Sequence, residues 1–247
     1  MRSRTKKTVL VVGASGATGK LLVEQLLDYG ANVRTIVRSP DGIPEPIRNH
    51  PRLSITHASL LELSANELSQ LIHRCDAAAS CLGHNMGFKG IFGPPYRLVA
   101  VATRRLSAAL KAHGREQPPA RFVLMNTAGN HNRDADGPVS LAQQLVIGLI
   151  RLGVPPHADN EAAANFLRKN ISHDDRTLEW CVVRPDTLTN EPEATEYEVH
   201  PSPVRSAIFD PGKTSRKNVA HFMAKLIADE ETWRRWQGQM PVIYNSY

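Results

Sequence analysis

The sequence predicts an α/β fold: a doubly wound parallel sheet with helices on both faces and a small substrate-side elaboration toward the C-terminus. Three observations predict it. Short, continuous apolar runs such as Thr8–Val12 (TVLVV) have the β-branched make-up of strands buried on both faces. Segments of helical period lie between them, long enough to be the crossovers that parallel neighbours require. Strand and helix alternate in this way through the first half of the chain.

Taken in order, the first strand ends at Gly13. Leu21, Leu22, Gln25 and Leu26 then carry helical spacing over residues 17–29, with Gly30 as the stop. Further strands are predicted over residues 32–37 and 53–57. Ser64-x-x-Glu67 reads as a capping box for a helix over 65–74, because Ser and Glu at that spacing satisfy the first free amides. A strand over 77–81, a long helix over 96–113 and a strand over 121–126 complete the regular half. Beyond it the pattern predicts helices over 141–152, 159–169 and 216–228, and strands over 179–184 and 242–244. Asp159 reads as the N-cap of its helix. The Pro- and Glu-rich stretch 185–211 reads as a surface excursion with one short strand over 207–209. One domain is expected, with a cofactor half (residues 8–130) and a substrate-side half (131–247).

The 247 residues are 41% hydrophobic and 22% charged, which is enough to bury a core without disulfide or metal staples. Three cysteines, Cys75, Cys81 and Cys181, make no disulfide framework and point to a reducing, cytoplasmic compartment. The longest strongly apolar run, Leu145–Ile150, is far short of a membrane span. The net charge of +6 fits an anionic cofactor or substrate, since no RNA- or DNA-binding signature accompanies it. Arg2, Arg4, Lys6 and Lys7 read as a solvated basic start rather than a targeting segment. Cys81-x-x-His84 has no second pair at ligand spacing, so no metal is expected. Trp233 and Trp236 are expected in the core. The expected state is a monomer or homodimer acting on a small molecule, with neither membrane nor nucleic acid as partner.

Gly13-Ala14-Ser15-Gly16-Ala17-Thr18-Gly19 stands between the first strand and its helix. Glycines there permit a tight turn and let the backbone approach a diphosphate, which the helix N-terminus attracts. Strand, turn and helix together form the Rossmann-type context for a dinucleotide site. Lys20 does not make this a P-loop, because Leu21 follows it where Ser or Thr is needed.

The Gly-x-x-Gly-x-x-Gly spacing resembles the extended and atypical short-chain dehydrogenases/reductases. Five further segments support the resemblance: Thr35-Ile36-Val37-Arg38, residues 76–83, Asn126-Thr127-Ala128-Gly129, Val183-Arg184-Pro185-Asp186-x-Leu188, and Ser215-Arg216-x-x-Val219-Ala220. Together they are similar to NAD(P)H-binding atypical reductases of the biliverdin reductase B and NmrA-like kinds. The resemblance implies cofactor contacts from Gly13, Ser15, Gly16, Ala17, Thr18 and Gly19, and from Ser59 and Leu60 near the adenine. Ser59 departs from the Asp usual there. It also implies contacts from Cys81, Leu82 and Gly83 along the ribose and diphosphate, from Thr127 and Pro185 flanking the nicotinamide, and further cofactor contacts from Asn126 and Arg184.

Arg38 stands where an NAD-preferring site places an acid, and no carboxylate precedes Asp41. A guanidinium there pairs with a 2′-phosphate, so the expected cofactor is NADP(H). Arg34, in phase along the strand, is a second candidate cation. No Tyr-x-x-x-Lys dyad is present: Tyr29, Tyr96 and Tyr197 are followed four residues on by Val33, Ala100 and Pro201. The candidate catalytic groups are Thr127, His84 and His131, with Asn85, Lys89 and Asn130 in the same loops and His157, Asn160 and Glu161 in a third segment, after Pro155-Pro156. Gly83, Gly87, Gly90 and Gly93 suggest a lid. Three readings stay open: a reductase of a small carbonyl, enone, flavin or similar acceptor; an NADPH-binding sensor; and an isomerase or lyase with resident NADP.

Overall fold

A computed structural model describes residues 6–84, 93–113, 118–132, 134–137 and 155–246. Burial along the first strand shows how the layers form. In β1 (Thr8–Val12), Val9 and Val11 point into one apolar layer and Leu10 and Val12 into the other, all four at most 1% exposed. Period-2 alternation with both faces apolar requires helices above and below.

The strands are β2 (Asn32–Val37), β3 (Leu53–His57), β4 (Ala77–Ser80), β5 (Ala120–Met125), β6 (Leu178–Pro185), β7 (Thr187–Thr189), β8 (Tyr197–His200), β9 (Lys213–Ser215) and β10 (Val242–Asn245). Eight of them form one sheet in the order β3-β2-β1-β4-β5-β6-β10-β8, parallel except for β8 against β10; β7 and β9 pair separately. The order reverses between β1 and β4, which puts the turn after β1 at the switch point beside which open α/β sheets form their ligand crevice, at the carboxyl ends of the strands.

Helix α1 (Gly19–Asp28) packs on one face with α6 (Arg216–Ala228) and the short α7 (Glu230–Trp236). Helices α3 (Ala65–Ile72), α4 (Leu98–Ala112) and α5 (Pro155–Asn170) cover the other. A single turn, α2 (Glu45–Arg48), precedes β3. Trp233 and Trp236 are buried, as expected. The capping box at Ser64 and Glu67 is formed from both sides.

Several expectations are corrected. The helix expected from Asp159 begins at Pro155, because proline at the first helical position gives up only an amide that has no partner there. Residues 207–209 turn instead of forming a strand, since the Ser206 hydroxyl accepts from the amides of Ile208 and Phe209. The excursion instead contributes β7 and β8, and β9 follows directly after it. Lys7 is not simply solvated, because its ammonium donates to the carbonyl of Ile227 at the end of α6, 2.6 Å away. The helix expected over 141–152 lies outside the described residues. Among the described residues no helix is long and apolar enough to cross a membrane.

Entry into β6 is fixed by Asp175, whose carboxylate accepts from Lys111 (2.5 Å), from the Thr177 hydroxyl (2.7 Å) and from the amides of Thr177 and Leu178. Burial alone would raise its pKa, but these donors outweigh burial and hold it at about 2, below the ordinary 3.8. The folded value is depressed, so its contribution is complete above the ordinary value and is lost as pH falls toward about 2. Asp175→Asn is therefore expected to be less stable than the parent near neutrality. In denaturant titrations across pH, that gap should close on the acid side of the ordinary carboxylate range.

Candidate cofactor and substrate site

Val12 pairs with Ser80, so the residues that follow, Gly13 and Cys81, leave the sheet side by side, and the Cys81 amide donates to the Val12 carbonyl at 3.0 Å. Gly13 has φ +76°, and a Cβ on it would stand 2.6 Å from the Cys81 carbonyl carbon and 2.8 Å from the Leu82 nitrogen. A Cβ on Gly19 would stand 2.0 Å from the Gly13 oxygen. Both positions exclude every other residue while the turn keeps this shape. Gly16 closes the turn by donating to the Gly13 carbonyl at 3.0 Å. Among the described residues the amides of Ser15, Ala17 and Thr18 have no acceptor, α1 has no acid in its first turn, and Thr18 makes no side-chain cap. Ser15, Gly16 and Ala17 are exposed. The turn is thus a cradle of free amides at the positive end of a helix, which fits a dinucleotide diphosphate.

The loop after β2 leans on this cradle, since a Cβ on Gly42 would stand 2.6 Å from the Ser15 carbonyl oxygen. Arg38 lies in that loop with its side chain exposed, and its carbonyl is bonded to His57 at the end of β3. Asp41 is tied to the Ser39 hydroxyl at 2.6 Å. Arg34 does not join Arg38: its guanidinium donates to the carbonyls of Leu71 (3.0 Å) and His73 (2.8 Å), closing the end of α3. The Ser59–Leu60 segment is braced by Arg105, which donates to the carbonyls of Leu60, Leu61 and Leu63, and the Leu60 side chain is in the core.

The carboxyl edges of β4 and β5 are gathered by the start of α5. Asn126 donates to the Asn160 carbonyl (2.9 Å) and accepts from the amide of Thr127 (2.9 Å) and the side chain of Asn130 (3.3 Å). The Thr127 hydroxyl accepts from the Gly129 amide at 3.3 Å and retains its own hydrogen for a ligand. His157 lies beside that turn, with its Cε1 3.7 Å from a Cβ placed on Gly129. Its partner Glu161 stands one helical turn on, 3.9 Å away. Asp159 caps a different helix from the one expected: its carboxylate accepts from the amides of Val99 and Ala100 at the start of α4, and from His84.

The catalytic candidates therefore fall in separate clusters. His84 is with Asp159, and Thr127 with Gly129 and His157. His131 lies 3.5 Å from Asp136. Asp136 is the partner of Arg184, which is fully buried and whose every nitrogen is engaged, by the carbonyls of Met240, Asn130 and Pro201 and by both oxygens of Asp136. The Arg184 guanidinium, expected at the cofactor, is held in a structural ion pair with no donor left over. Pro185 accepts from Ala128 and so joins the ends of β5 and β6. Burial pushes the Cys81 thiol up to about 12, so beside the cradle it is a neutral wall and not a nucleophile. Asp186 is likewise raised by burial, against bonds from Gly212 and Thr187. Asn85, Lys89 and the glycines of the expected lid at 87 and 90 lie outside the described residues.

A family model for NAD(P)H-binding domains matches residues 13–230, from the first glycine of the cradle to α7. The chain belongs to this NAD(P)H-binding family. An uncharacterised chloroplastic protein of Arabidopsis thaliana is 28% identical over 230 residues, covering 93% of this chain and 74% of that protein. A short-chain dehydrogenase/reductase from Veillonella parvula superposes with a TM-score of 0.71 at 18% identity, over 98% of this chain and 95% of the other. The same description, for a structure in complex with NADP, gives 0.68 at 18% identity, over 97% and 94%. An anaerobilin reductase from Escherichia coli O157:H7 gives 0.66 at 14% identity, over 97% of both. At these identities the structural likenesses establish the fold.

Two substitutions separate the cradle from the scaffold. Gly13→Ala should abolish the stabilisation that a bound dinucleotide confers, read as loss of its melting-temperature shift. Asp136→Ala leaves Arg184 buried and unpaired, and should cost about 3–5 kcal/mol in denaturant unfolding.

Proposed function

We propose that the protein is an NADPH-dependent oxidoreductase that passes hydride to a small carbonyl, enone, flavin or similar acceptor. The observation that carries this reading is the cradle: free amides at Ser15, Ala17 and Thr18, held against the β4 turn by glycines that admit no side chain. The family's NAD(P)H-binding description supports it, as does the NADP complex of the Veillonella parvula protein. The bound dinucleotide supplies the hydride. The chain's own work is to hold the diphosphate on backbone amides, to orient the acceptor at the carboxyl edges of β4 and β5, and to wall off water with Cys81, Leu82 and Pro185.

Preference for the 2′-phosphate rests on Arg38, exposed in the loop braced on Ser15, with Asp41 engaged by Ser39. A charge-assisted contact there contributes about 1.5–3 kcal/mol. A reducing, cytoplasm-like compartment suits the free thiols of Cys75, Cys81 and Cys181. The working unit on this reading is a monomer or homodimer that takes only small molecules.

NADPH should raise the melting temperature more than NADH does, because a ligand selective for the native state stabilises it. Arg38→Asp should lower NADPH affinity by about 10–100-fold and leave NADH little changed. NADPH absorbance should fall with at least one member of a panel of aldehydes, enones, quinones and flavins. A thermal shift without oxidation of any acceptor would favour the sensor reading.

A further inference from the structure

We infer that His84, positioned by Asp159, is the proton donor of the reaction, and that the acceptor is therefore a carbonyl or an activated alkene. The inference rests on the reductase reading and narrows its substrate class. The His84 side chain is 5% exposed and that of Asp159 fully buried, an unusual place for a carboxylate. Asp159 is held there by named donors. One oxygen accepts from the Val99 amide and from His84 Nε2, both at 2.8 Å, and the other from the Ala100 amide at 2.9 Å. A carboxylate only accepts, so Nε2 must carry the hydrogen. That leaves Nδ1 as the nitrogen that gains and loses a proton, and among the described residues it makes no hydrogen bond.

Placement fits this task. His84 follows Cys81, Leu82 and Gly83, whose first two residues abut the cradle at Gly13. Asp159 is followed by Asn160, whose carbonyl is tied to Asn126 at the edge of β5, beside Thr127. The dyad thus joins the loop after β4, which passes the glycine turn at Cys81 and Leu82, to the helix fastened at the end of β5 by Asn160. A histidine oriented by a buried carboxylate is a recurrent solution for controlled proton transfer.

The balance is complete with a carbonyl acceptor. The reduced nicotinamide dinucleotide delivers a hydride, with its electron pair, to the carbonyl carbon. The C=O π bond breaks, and the oxygen takes the proton from Nδ1 of the imidazolium. The products are the alcohol, the oxidised dinucleotide and neutral His84, which regains a proton from water. For an activated alkene, hydride adds to the β-carbon and the α-carbon takes the proton.

A purely mechanical staple between the β4 loop and α4 would look alike in the structure, and His84→Gln separates the two roles. Glutamine retains an N–H for Asp159 but has no exchangeable proton to give. The variant should keep its melting temperature, its NADPH-induced thermal shift and its KM for NADPH, while kcat for aldehydes or enones falls about 10²–10⁴-fold. In ¹⁵N spectra of the intact protein, neutral His84 should be the Nε2–H tautomer, and its Nδ1 signal should move when NADPH is added. Unchanged kcat in His84→Gln, the opposite tautomer, or an Nδ1 signal indifferent to bound NADPH would overturn the inference, as would reduction confined to one-electron acceptors. Absence of any NADPH-induced thermal shift in the parent would instead bring down the reductase reading itself, and this inference with it.

Discussion

Everything at the carboxyl edge of the sheet depends on how closely the backbone leaving β1 can approach the backbone leaving β4. That approach is set by Gly13, whose missing side chain lets the chain pass the Cys81 carbonyl, and by Gly19, which brings α1 down onto the same turn. With a side chain at either glycine, the turn would have to open, and the positive end of α1 would no longer meet the crevice.

The other parts of the site are arranged around that contact by ordinary packing and capping. The loop with Arg38 is steadied by Gly42 on Ser15, and the loop after β3 by Arg105 on the carbonyls of Leu60, Leu61 and Leu63. Helix α5 does two things at once: Asn160 fastens β5, and Asp159 caps α4 while holding His84. At the end of β6 the Arg184–Asp136 pair ties the loop after β5 to Met240, just ahead of β10, and to Pro201. On the proposed reading the cofactor meets a wall of strand ends and glycines, and the acceptor a polar region contributed by several distant segments.

Local pattern accounts for what was legible in the sequence. β1 to β6, the helices on either side and the glycine turn each announce themselves within a dozen residues, through apolar runs, period and caps. Tyr197–His200 was hidden because a strand at the sheet edge alternates with exposed acids, and so reads as part of a polar excursion. The fates of Arg34 and Arg184 were not legible either. Period places their side chains on a face, but which carbonyls or carboxylates wait there depends on elements far along the chain. Asp159 was read as a cap, and it is one, but for α4 across a separation of 60 residues, which no local rule can reveal. His57 and Gly42 were missed because their importance lies in what touches them, although a glycine soon after the second strand was a usable signal.

The central claim is that the dinucleotide diphosphate rests on the amides of the Gly13–Gly19 turn. A crystal structure of the protein with NADP bound tests this most directly. The diphosphate oxygens should accept from the Ser15, Ala17 and Thr18 amides, with the 2′-phosphate against Arg38. A diphosphate bound elsewhere, or a turn rearranged so that Gly13 no longer meets Cys81, would contradict the account.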